Sequence, residues 1–147
     1  MSWVVTILFL VMVVLGGVIN HNAETLSSSN DKGVVEAISG SMAVYHSYVV
    51  AYAEANPGVT GSVSDAALGL PSWFNKVAGV SNYVSGGKGY VYYASPPGEL
   101  AHQLLSDTSN SIFVGVKQGG YVINPLSGQS TIAVPAAIPD GVVVYAS

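Results

Sequence analysis

The chain has 147 residues, room for one domain, with half of them apolar, only 8% charged and a net charge of −4. Soluble domains carry about 25% charged residues; here there is no Arg, and Lys32, Lys76, Lys88 and Lys117 are scattered, which excludes nucleic-acid binding because that needs clustered cations. With no Cys there are neither disulfides nor thiolate metal sites, a condition that suits a reducing cytosol and an exported protein alike.

From Trp3 to Ile19 the chain reads WVVTILFLVMVVLGGVI, without one charge. As a helix these residues rise about 26 Å at roughly 1.5 Å each, close to the hydrocarbon thickness of about 30 Å. Thr6 can bond back to a carbonyl in the preceding turn, Asn20 to Asn22 suit the headgroup region, and Trp3 suits the opposite interface. The expectation is a membrane anchor over residues 1–22, held through Trp3 to Ile19. A cleaved signal peptide lacks support: no basic region precedes the apolar run, and a cut after Ala23 would place His21 where a small residue is needed. A buried core helix would be an unusually long apolar run for so small a domain. A type IV prepilin would carry its glycine before the apolar run and a Glu within it, whereas Gly16 and Gly17 come only after its uninterrupted part, Trp3 to Leu15, and no Glu occurs inside. The acidic flank with Glu24 and Asp31 favours the N-terminus inside.

Residues 23–32 are small and polar and read as a linker to a domain over 33–147. Val34, Ile38, Met42, Tyr45, Val49 and Tyr52 recur at spacings of three and four, one apolar stripe on a helix. Asn30 or Asp31 can cap its start, and Asn56-Pro57-Gly58 ends it. The stripe is either a core face against the domain's own sheet or, through the Val34–Tyr52 helix, a seam for a homo-oligomer. Leu70-Pro71-Ser72-Trp73-Phe74 reads as a turn or short helix, with Trp73 and Phe74 as core anchors.

Gly89-Tyr90-Val91-Tyr92-Tyr93 is of strand type, and Pro97 to Ser106 reads as a short helix with Pro97 in its first turn. Ile112 to Lys117 and Tyr121 to Asn124 flank Gln118-Gly119-Gly120, a hairpin signal. Thr131 to Val134 and Val142 to Tyr145 complete a sheet of four or five strands. A long amphipathic helix packed on a small, mostly antiparallel sheet is the α+β arrangement.

No catalytic constellation emerges. Gly86-Gly87-Lys88-Gly89 lacks the first glycine and the hydroxyl of a phosphate-binding loop. Ser29-Asn30-Asp31-Lys32 and Ser85-Gly86-Gly87-Lys88 both match Ser-x-x-Lys, a cheap pattern in a Ser-rich chain without its companion motifs. His21, His46 and His102 lie in three regions, with no ligand at helical spacing, and His46 reads as a hydrogen-bonded structural imidazole. Glu54, Glu99 and Asp107 have no sequence signal that pairs them as acid and base. No catalytic, cofactor-binding or metal-ligating residue is therefore assigned.

The opening Met1-Ser2-Trp3-Val4-Val5, the Tyr-rich helix, Leu70-Pro71-Ser72-Trp73-Phe74, Gly89-Tyr90-Val91-Tyr92-Tyr93 and Ile138-Pro139-Asp140-Gly141 together resemble the PilM family of conjugative-plasmid type IVb (thin) pilus operons. That resemblance implies an uncleaved anchor in the bacterial inner membrane and a C-terminal α+β domain in the periplasm. It implies a non-enzymatic, structural component of the pilus apparatus, with other pilus-assembly proteins as partners. A minor pilin-like subunit, or a small periplasmic cell-wall-binding or hydrolytic protein, is the alternative.

Overall fold

A computed structural model of the chain describes residues 31–147. Residues 31–55 are helical and form α1; the expected anchor, most of the linker, His21, Ser29 and the Asn30 cap lie outside the described residues. Among the described residues no helix is long and apolar enough to cross a membrane. The stripe that α1 buries is Val35, Ile38, Met42, Tyr45, Val49 and Ala53. It differs from the expected stripe at both ends: Val34 is 56% exposed and Tyr52 packs only at the core's margin. The helical repeat explains the first difference. At roughly 100° per residue, Val35 falls about 20° from the line of Met42, whereas Val34 falls about 80° away. Asn56 ends the helix by donating its backbone N–H and its side-chain amide to the Tyr52 carbonyl, and Pro57 follows.

Six strands follow: β1 (Val80–Ser85), β2 (Lys88–Tyr93), β3 (Val114–Gln118), β4 (Tyr121–Asn124), β5 (Gly128–Ala133) and β6 (Val143–Tyr145). They form one antiparallel sheet in the order β1-β2-β6-β3-β4-β5. The count exceeds the expected four or five because Val80–Ser85 carries no strand-type run. Its inward positions Val80, Asn82 and Val84 alternate correctly, but the buried Asn82 interrupts the apolar pattern. The β3–β4 hairpin turns at Gly119 and Gly120, both at positive φ, as the glycine pair predicts. Between β2 and β3 lies α2 (Leu100–Asp107), three residues shorter at its start than expected. Pro97 stands outside it, its carbonyl accepting the Leu100 N–H.

Both faces of the sheet are covered. On one, α1 and α2 pack against Val84, Val91, Val114 and Val143. The stripe on α1 is therefore a core face, and a homo-oligomer through it would have to displace the chain's own sheet. Close approach is set by Gly89, where a Cβ would stand 3.0 Å from both Val49 Cγ1 and the Val50 backbone nitrogen. On the other face, residues 134–142 cross beneath the sheet and bury Val134, Ile138 and Val142 against Tyr90, Val122 and Val144. Lys117 fixes this crossing: its nearly buried Nζ donates to Asp140 Oδ1 at 3.0 Å, its N–H to the Val142 carbonyl, and its carbonyl accepts from Gly141. That ion pair holds the Asp140 carboxyl below its ordinary range.

Candidate docking site

The segment between α1 and β1 has little regular structure, yet a polar cluster holds it firmly on α1. Asn82 is 5% exposed; its amide donates to Tyr45 Oη at 2.6 Å and to the Val63 carbonyl, while its Oδ1 accepts the Val63 N–H. The Tyr45 hydroxyl donates to Asp65 Oδ1 at 2.5 Å, and Lys76 bonds both Asp65 oxygens while lying 5.0 Å from the Tyr45 ring centroid. Burial, and then Asp65, push the Tyr45 phenol well above its ordinary value. Burial works upward on Asp65 as well, but the Tyr45 hydroxyl and Lys76 outweigh it and leave that carboxyl below its usual range. The cluster thus keeps a neutral phenol beside a charged carboxylate. Its polar atoms satisfy one another, which makes it a clamp.

The clamp presents Trp73. Phe74 stacks on Tyr45 with centroids 6.3 Å apart, and Trp73 meets Phe74 edge to face at 6.1 Å. Phe74 is the core anchor expected of it; Trp73 is not, with 69% of its surface exposed. The turn Pro71–Phe74, closed by the Phe74 N–H on the Pro71 carbonyl, lets only one of two adjacent rings face inward. Between Trp73 and α1 lies an open cleft of about 500 Å³. Glu36, Ala37, Gly40, Ser41 and Val44 form its helical wall; Trp73, Phe74, Asn75 and Val77 form the other. Ser41 Oγ accepts the Val77 N–H at 3.0 Å and closes the floor. The cleft is shallow and mixed in character, with Glu36, Ser41 and Asn75 among its apolar wall residues.

The residues weighed earlier for chemistry are dispersed. His46 on α1 stacks on Tyr145, centroids 3.6 Å apart and 6° from parallel, and donates from Nε2 to the Ala146 carbonyl at 2.9 Å, which agrees with a structural imidazole. Ser85 and Lys88 are strand partners at the β1–β2 turn. Asp107 accepts from Ser39 Oγ on α1 and from Gln103, and so ties α2 to α1 rather than pairing with Glu54 or Glu99. His102 is exposed on α2. Among the described residues no three His, Asp or Glu side chains gather where a metal ion could be held. Sequence reasoning missed the cleft because its helical wall is made of small residues, which carry no hydrophobic signal of their own.

The PilM family model matches residues 9–146 of the chain. A crystal structure described as that of a pilM protein from Pseudomonas aeruginosa 2192 is 41% identical in sequence over 77% of this chain and 94% of that one, with a TM-score of 0.49. Another, described as PilM from Escherichia coli B7A, is 22% identical over 80% of this chain and 94% of that one, with a TM-score of 0.59, and shares the fold. No curated protein matches the chain. With 138 of its residues, 9 through 146, under one family model, this chain belongs to the PilM family.

Proposed function

We propose that this protein is a structural component of a type IVb (thin) pilus assembly apparatus, anchored in the inner membrane by Trp3 to Ile19, with residues 33–147 in the periplasm, and that it works by protein contact without catalysis. Membership of a pilus-related family supports the setting. The apolar run of seventeen uncharged residues supports the anchor. The single observation that carries the contact role is Trp73, a large aromatic held 69% exposed by the clamp at the edge of a surface cleft. Exposed aromatics in well-packed surroundings are the residues on which interface energy concentrates.

Two experiments test the reading. Untagged protein expressed in a Gram-negative host is expected to show full-length mass and to leave the membrane only with detergent; a soluble periplasmic form shortened by about twenty residues would replace the anchored component with a secreted subunit. In a strain lacking the gene, Trp73→Ser protein of normal abundance is expected to fail in restoring pili. Full restoration would remove the contact role from this surface.

A further inference from the structure

We draw no further inference here: the strongest candidate, the exposed Ile112, Phe113 and Leu126 side chains at the end of the sheet where Asn124 ties the bend before β3 to the β4–β5 turn, carries nothing because no feature of the structure shows what covers it.

Discussion

His46 lies flat on Tyr145 with its Nε2 proton committed to the Ala146 carbonyl, and burial pushes its pKa down to about 4, the hydrogen bond opposing only part of the fall. A base whose folded pKa lies below its unfolded value of about 6.5 binds fewer protons when folded. Its contribution to stability is therefore complete above pH 6.5 and is lost as pH falls through the window from 6.5 to 4, by at most about 3 kcal/mol. Chemical denaturation between pH 7 and 5 should show this decline, and His46→Gln should flatten it. An unchanged slope in the variant would assign the pH dependence to other groups. At Asn82 the expectation is independent of pH. Asn82→Ala strands the Val63 N–H and carbonyl inside the protein and leaves the Tyr45 hydroxyl only its bond to Asp65, at a cost of about 3 kcal/mol. A loss below roughly 1 kcal/mol would mean that water replaces the amide. His46 was legible as a structural imidazole from its place beside an apolar stripe. The clamp around Asn82 was not, because its members Tyr45, Asp65, Lys76 and Asn82 lie far apart in sequence and share no periodicity.

Among the elements, α1 and β2 approach so closely that only Gly89 fits beneath Val49 and Val50. Gly89→Val must lift the helix or shift the strand, and should lower stability by about 1–3 kcal/mol in urea denaturation, as overpacked cores do. Gly98→Ala, where a Cβ meets nothing within 4 Å and φ is not positive, is the control and should change stability by less than about 0.5 kcal/mol. If the two variants unfold together, α1 does not press on β2 at this point. Amphipathic spacing made α1 legible, and the glycine turns made the β3–β4 hairpin legible, because each signal is local. β1 was hidden because a strand with a buried amide at its centre loses the alternation that identifies strands. Its Asn82 is polar for the sake of residues 63 and 45, which no local window contains.

At the scale of the whole molecule, β6 is the keystone. It is three residues long, comes last in the chain, and is the only strand that joins β1-β2 to β3-β4-β5. Its neighbours pair Val91 with Tyr145 on one side and Val114 with Tyr145 on the other. Truncation after Gly141 should therefore abolish cooperative unfolding, while removal of Ser147 alone should preserve it, both read by thermal circular dichroism. In the intact chain, exchange of the β6 amides should be among the slowest, governed by global opening. Persistence of a sharp transition in the truncated chain would show that the two helices alone hold the sheet halves together.

The sequence by itself determined an α+β class, the long helix, one hairpin, the uncharged N-terminal run and, through the order of its motifs, the family. These rest on periodicity, turn chemistry and composition, which act between residues a few positions apart. Only the tertiary structure decided that Trp73 stays outside while Phe74 goes in, that six strands form one sheet with the last at its centre, and that a row of small residues on α1 becomes the wall of a cleft. Each of those outcomes depends on competition for the same buried space by segments distant in sequence. Phe74 takes the place on Tyr45, β6 takes the gap between β2 and β3, and the side of α1 not taken by the sheet stays exposed among the described residues.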